Sequence, residues 1–197
     1  MDYQNILSEH KDGICYLTIN RPKQLNSLNA STISELNKAI ITADTDKEVR
    51  CIILTGAGKK AFVAGADIKE FASFNTSEGE ALARKGQELL FDLLENIGTP
   101  SIAAINGFAL GGGLELAMSC HMRIASTNSK MGLPEVSLGV IPGYGGTQRL
   151  ASLVGKGKAM EMITTAGMLS AEDAKQWSLV NHICEQEELI SFTEKIA

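Results

Sequence analysis

Short apolar runs of strand length alternate along this chain with stretches whose apolar residues repeat at helical spacing. Residues 3–9 and 13–20 have strand character with turn residues between them, so a hairpin is the simplest pairing, and Arg21-Pro22 ends it. From residue 31 onward Ile33, Leu36, Ile40 and Ile41 fall on one helical face, and Thr32-Ile-Ser-Glu35 fits a capping box. The β-branched run at 50–55 reads as a strand buried in a parallel sheet. Residues 56–66 then read as a loop, 67–71 as one helical turn capped by Asp67, and 77–96 as a long helix that stops at Gly98. An apolar strand at 101–105 leads through glycines into a helix at 114–118. Residues 122–125 read as a strand, 130–136 as irregular, and 147–154, 156–165 and 171–176 as helices. Residues 179–184 read as a strand and 187–197 as a last helix without a glycine or proline stop, which suggests a shortened chain. Strands alternating with helices after an antiparallel hairpin make this an α/β protein. No linker divides the sequence, and a single domain over 1–197 is expected.

Composition narrows the functional classes. The sequence has 18 basic and 23 acidic residues, net −5, which argues against a general nucleic-acid binder. Cys15, Cys51, Cys120 and Cys184 show neither a C-x-x-C pair nor metal-ligand spacing, so they read as buried thiols in a reducing compartment and no metal is expected. The first residues lack the order of a signal or transit peptide, and no apolar run has the length of a membrane span. A cytoplasmic protein with no membrane partner is expected.

The candidate chemistry lies in three loops. In Asn106-Gly-Phe-Ala-Leu-Gly-Gly-Gly-Leu-Glu115 the glycines let a ligand approach the backbone, and the helix that follows offers unpaired N–H groups and partial positive charge. Glu115 sits between Leu114 and Leu116, where an unpaired charge is expensive. Val63-Ala-Gly-Ala-Asp67 and Leu133-Pro-Glu-Val136 are the other two, the last with a second carboxylate, Glu135. Together they suggest a site that holds an oxyanion and moves a proton. Gly56-Ala-Gly-Lys-Lys-Ala61 resembles a dinucleotide fingerprint but opens no helix, and no G-x-S-x-G occurs.

Residues 61–70, 106–117 and Gly132-Leu-Pro-Glu135 running on into Ile141-Pro-Gly-Tyr-Gly-Gly-Thr-Gln-Arg-Leu150 resemble the signature blocks of the crotonase family of enoyl-CoA hydratases and isomerases, and most of all its short-chain hydratases. The resemblance implies a spiral of ββα turns with a helical C-terminal segment, here apparently shortened, and homo-oligomers that are trimers or dimers of trimers. It implies an oxyanion hole from the backbone N–H groups of Ala66 and Gly112, and catalysis by Glu115 and Glu135. Asp67, Ile68 and Lys69 would line the substrate site with Ala66 and Gly112, and residues 71–80 would border the acyl pocket. The reaction implied is reversible hydration of 2-trans-enoyl-CoA to 3-hydroxyacyl-CoA, with an acyl-CoA thioester as partner and no cofactor beyond the CoA of the substrate. Enoyl-CoA isomerisation and non-catalytic acyl-CoA binding are the alternatives. Lys23, Lys59 and Lys60 are candidate contacts for CoA phosphates. His121 and His182, without evident partners, read as structural, and Met118, Met122, Met160 and Met162 as core.

Overall fold

The computed structural model describes residues 3–70 and 72–197. The hairpin forms as expected: β1 (Ile6–Lys11) pairs antiparallel with β2 (Ile14–Ile19), and Asp12 and Gly13 turn between them at φ 53° and 82°. β3 (Cys51–Gly56), β5 (Ser101–Ile105), β7 (Met122–Ser126) and β10 (His182–Cys184) continue the sheet in parallel, giving the order β1-β2-β3-β5-β7-β10. A second sheet stacks β4 (Ala61–Val63), β6 (Phe108–Leu110) and β8 (Lys130–Gly132) in parallel, with β9 (Met168–Ser170) antiparallel at its edge. The pairs β3–β4, β5–β6 and β7–β8 therefore each lay one strand in the first sheet and one in the second before a helix returns the chain. This is the expected spiral of ββα turns.

The continuous apolar runs of β3, β5 and β7 are explained by burial on both faces. Ile52, Leu54, Ala103, Ile105 and Ala125 enter the main core, while Cys51, Ile53, Ile102, Ala104 and Ile124 meet Leu189 of α8 (Leu189–Glu194) on the other side. The expected loop at 56–66 and irregular stretch at 130–136 contain β4 and β8. Strands of three residues are too short for a period to show.

Helix α1 (Ala30–Thr45) buries Ile33, Leu36 and Ile40 as expected, but Ile41 is 45% exposed and the alanines 39 and 43 complete the stripe. Its cap is Asn29, whose side chain accepts from Thr32 N at 2.8 Å, rather than Thr32. Glu35 is not half of a capping box either. Its carboxylate takes the N–H groups of Gln4 and Asn5 and the Asn5 amide, which fastens the hairpin to α1.

The long helix runs without a break but changes winding: α2 (Thr76–Gly86) passes through a π-helical turn, Gln87–Phe91, into α3 (Asp92–Asn96). Asn75 and Glu78 form the capping box at its start. The remaining helices are α4 (Gly112–Ser119), α5 (Gly146–Val154), α6 (Lys156–Thr165) and α7 (Ala171–Gln176). Met118 and Met162 are core and Met122 is half-buried, but Met160 is 63% exposed. Cys15, Cys51 and Cys120 are buried free thiols; Cys184 is half-buried, also free. His121 does have a partner: its Nδ1 lies 3.0 Å from Ser101 N and 2.9 Å from Ser101 Oγ, so its role is to hold the start of β5.

Candidate active site

The three loops meet because the three parallel strands β4, β6 and β8 are neighbours and each delivers its loop at the same sheet end, where parallel sheets usually present ligands. Gly111 N–H donates to Gly132 O at 2.9 Å, binding the second loop to the third. Gly111 takes φ 52° and ψ −126°, open to glycine alone, and turns the chain into α4.

Two N–H groups face the site. Leu28 and Ala66 form an isolated bridge in which Leu28 N donates to Gly65 O (2.9 Å) and Asp67 N to Leu28 O (2.7 Å). The N–H of Ala66 therefore points from the opposite edge of its strand. Gly112 is the first residue of α4, so its N–H has no intrahelical acceptor. The two residues lie together: a Cβ built on Gly112 would stand 3.6 Å from Ala66 N. A carbonyl oxygen placed there would meet two backbone donors and the positive end of α4.

Glu115, one turn into α4, is 1% exposed. Its Oε1 accepts from Tyr144 N and Gly146 N, both at 2.8 Å, at the N-terminus of α5. Burial raises its pKa to about 7; the Gly146 and Tyr144 N–H groups pull it down, Glu135 adds and Arg149 subtracts. Glu135 opens a 3₁₀ turn, Glu135–Leu138, after Pro134. Its Oε1 lies 2.8 Å from where a Cβ on Gly111 would be, and its Oε2 is buried without a hydrogen-bond partner. Burial raises this pKa too. An orphaned buried acceptor is suited to a ligand proton or a water.

The other expected site residues are placed less centrally. Among the described residues the Asp67 carboxylate pairs with Arg21 Nη2 at 3.0 Å, and Arg21 also donates to the carbonyl of Ser27. Ile68 and Lys69 are exposed on that turn, and Glu70 accepts from Ala30 N at 2.8 Å. Phe71 lies outside the described residues, and residues 72–78 face solvent. Lys23 and Lys60 are exposed, and Lys59 pairs with Glu187 at 3.2 Å.

Two residues escaped the sequence reading. Tyr144 lends its N–H to Glu115 and stacks its ring on Phe91, centroids 4.4 Å apart and 9° from parallel. Its phenol pKa is pushed up to about 12 by burial, with the charges of Glu115 and Glu70 adding. Arg149 is 8% exposed, and its fork reaches Tyr144 O, Asp92 Oδ1 and Glu95 Oε2. A signal existed for Arg149: it lies on the buried stripe of α5 with Leu150 and Val154.

The enoyl-CoA hydratase/isomerase family model matches residues 9–197. This chain belongs to that family. It is 49% identical to the short-chain-enoyl-CoA hydratase of Clostridium acetobutylicum and 46% identical to the crotonyl-CoA hydratase of Syntrophomonas wolfei, in each case over 100% of this chain and 75% of the relative. The crystal structure of a Bacillus anthracis enoyl-CoA hydratase superposes with a TM-score of 0.90 at 40% identity, covering 98% of this chain and 75% of that one. A Geobacillus kaustophilus structure gives 0.94 at 39% identity over 100% and 75%. The family and its fold are thus those expected from the signature blocks. Among the described residues no cluster of three or more His, Cys, Asp and Glu could hold a metal, and no helix is long and apolar enough to cross a membrane.

Proposed function

We propose that this chain, as a single domain over residues 1–197, catalyses reversible hydration of a 2-trans-enoyl-CoA. The observation that carries the reading is the convergence of two carboxyl groups whose pKa values burial raises, the buried Glu115 and the half-buried Glu135, on the pair of free N–H groups of Ala66 and Gly112. The names of the relatives above point the same way.

In this reading the thioester oxygen accepts from Ala66 N–H and Gly112 N–H, which draws electron density from Cβ. Water held between the carboxyl groups attacks Cβ, its oxygen forming the new C–O bond while Glu115 takes up its proton. The electron pair of the C=C bond moves into the enolate, whose oxyanion the two N–H groups stabilise. Glu135 delivers a proton to Cα and the thioester is restored. Dehydration is the reverse. Loss of one oxyanion donor typically costs about 10²–10³ in rate. Asp67, Ile68 and Lys69 are assigned to the CoA side of the site. Unpaired cysteines favour a reducing compartment such as the cytoplasm. The exposed apolar run Leu138, Val140 and Ile141 favours a trimer or dimer of trimers.

A second reading, isomerisation of the double bond, draws on Glu135 alone, because Glu115 already spends Oε1 on the α5 N-terminus. Crotonyl-CoA absorbance distinguishes the two. The hydratase reading expects rapid loss of the conjugated thioester band, reduced by at least about 10²-fold in both Glu115→Gln and Glu135→Gln. No loss with folded wild type, alongside turnover of a 3-enoyl-CoA, would replace it with the isomerase.

A further inference from the structure

The N–H of Gly112 is aimed by the helix it begins, but Ala66 lies in no helix, and its N–H must be aimed by something else. Its loop is held by residues 25–28 through three backbone hydrogen bonds. Ala64 N donates to Leu25 O at 3.1 Å, Leu28 N to Gly65 O at 2.9 Å, and Asp67 N to Leu28 O at 2.7 Å. The last two bracket Ala66 and turn its own N–H to the opposite side. Where residues 25–28 sit therefore sets where that donor points.

Two side chains grip this segment. Asn26 is 1% exposed, and its Nδ2 donates to Ala57 O at 3.0 Å, just past β3, and to Ala61 O at 2.8 Å, at the start of β4. Its Oδ1 accepts from Arg21 N at 3.0 Å, while Asn26 N donates to Arg21 O at 2.9 Å. The Arg21 guanidinium closes the other end, with Nη1 on the carbonyl of Ser27 and Nη2 on Asp67 Oδ2 at 3.0 Å. Both side chains of this ion pair are largely buried, 13% and 18% exposed. One arginine thus ties the holding segment to the residue that follows Ala66.

We propose, building on the hydration reading, that Arg21 and Asn26 are positioning residues for the oxyanion hole, clamping residues 25–28 so that Ala66 N–H meets the thioester oxygen in line. A hydrogen bond weakens steeply as it bends, so the clamp acts on the rate through an angle. The backbone is strained to achieve it. Leu25 and Asn26 take φ 50° and 59°, the one consecutive pair of non-glycine residues with positive φ among the described residues. Such a conformation is unfavourable for leucine and persists where its surroundings enforce it, often at functional sites. Leu25 is 40% exposed, so burial of its own side chain does little to enforce the bend, and the hydrogen bonds around Asn26 and Arg21 do. The end of β3 makes room for the amide: a Cβ on Gly56 would stand 2.7 Å from Asn26 Nδ2.

The test compares wild type with two variants. Arg21→Lys keeps a charge for Asp67 and loses the fork, and Asn26→Gly keeps the left-handed backbone accessible and loses every side-chain bond. Butyryl-CoA with an isotope-labelled thioester carbonyl needs no turnover, and its infrared band reports how strongly the bound carbonyl is polarised. Wild type should lower the band on binding, and each variant should lose about half of that shift, since one of two donors is misaligned. With crotonyl-CoA, kcat should fall at least about tenfold while KM and the calorimetric Kd for butyryl-CoA move less than about threefold, a split that lost stability alone would not produce. Arg21→Lys carries the test if Asn26→Gly is unstable. A full band shift or an unchanged kcat in the folded variants overturns the proposal, as does a wild-type band that binding leaves unmoved. If wild type does not hydrate crotonyl-CoA the hydration reading fails, and the band in Arg21→Lys still decides whether the clamp aims Ala66.

Discussion

Arg149 Nη1 donates to the carbonyl oxygen of Tyr144 at 2.7 Å, from behind the loop whose N–H groups hold Glu115. Asp92 and Glu95 of α3 in turn hold the guanidinium, at 2.9 Å for Asp92 Oδ1 and 2.9 Å from Arg149 Nε to Glu95 Oε2. Arg149→Lys keeps the charge and loses the fork. Since Asp92 and Glu95 are nearly half exposed, the expected loss in urea unfolding is about 1–2 kcal/mol. With crotonyl-CoA, kcat should fall at least about tenfold and KM much less, because the loop then misplaces Glu115. Unchanged kcat in a destabilised variant would limit Arg149 to a structural role.

Glu115 also makes stability depend on pH. Its folded pKa of about 7 lies above the ordinary 4.5, so the folded protein binds the proton more tightly than the unfolded chain. That contribution is complete below pH 4.5 and is lost as pH rises to about 7, a change of about 3 kcal/mol at most. Glu115→Gln keeps an oxygen for the Tyr144 and Gly146 N–H groups and has no charge to bury. Relative to wild type it should gain stability between pH 5 and pH 8 in denaturant titrations while losing activity. A pH-independent difference between the two proteins would contradict a buried acid at this position.

The rate should follow the same group. With Glu115 activating water and Glu135 delivering a proton, kcat/KM for crotonyl-CoA rises as Glu115 loses its proton, around pH 7, and falls again as Glu135 loses its own, a bell-shaped profile. Glu135 pushes this pKa up, whereas Arg149 and the Tyr144 and Gly146 N–H groups pull it down. Glu135→Gln should therefore move the Glu115 titration to lower pH, readable as a carboxyl band in infrared difference spectra against the Glu115→Gln protein. A shift upward would mean that the two carboxyl groups do not face each other.

Two helical glycines should respond oppositely to alanine. A Cβ at Gly113 would overlap the carbonyl of Val63 in β4, and Gly113→Ala should cost at least about 3 kcal/mol or prevent folding. At Gly79 in α2 a Cβ meets nothing within 4 Å, and Gly79→Ala should stabilise by about 0.5–1 kcal/mol. Thermal melts read both; equal effects would show that the approach of α4 to β4 is looser than described.

The six strands of the first sheet were legible, the central ones because runs such as Cys51–Gly56 carry enough apolar residues to announce burial on both faces. The second sheet was not. Ala61–Val63, Phe108–Leu110 and Lys130–Gly132 hold three residues each and take their strand geometry from neighbours far along the chain. Yet those three strands bring the loops together. Glu115 stood out as a charge among leucines, and Ala66 and Gly112 through the signature blocks. Arg149 stayed hidden because its partners, Asp92 and Glu95, lie more than fifty residues away and look like solvated helix charges. The Asn29 cap was missed because Thr32 and Glu35 offered a competing capping pattern, which the hairpin backbone overrode.

Both hydrogen bonds to the Glu115 carboxyl fall on Oε1. Its two oxygens are thus no longer interchangeable, and rotating the group would strip two buried N–H groups of their acceptor at once. In the proposed reaction Oε2 alone meets the water, always from the same side of the planar enoyl group. The handedness of the new carbon centre would then be dictated by two backbone amides that never touch the substrate.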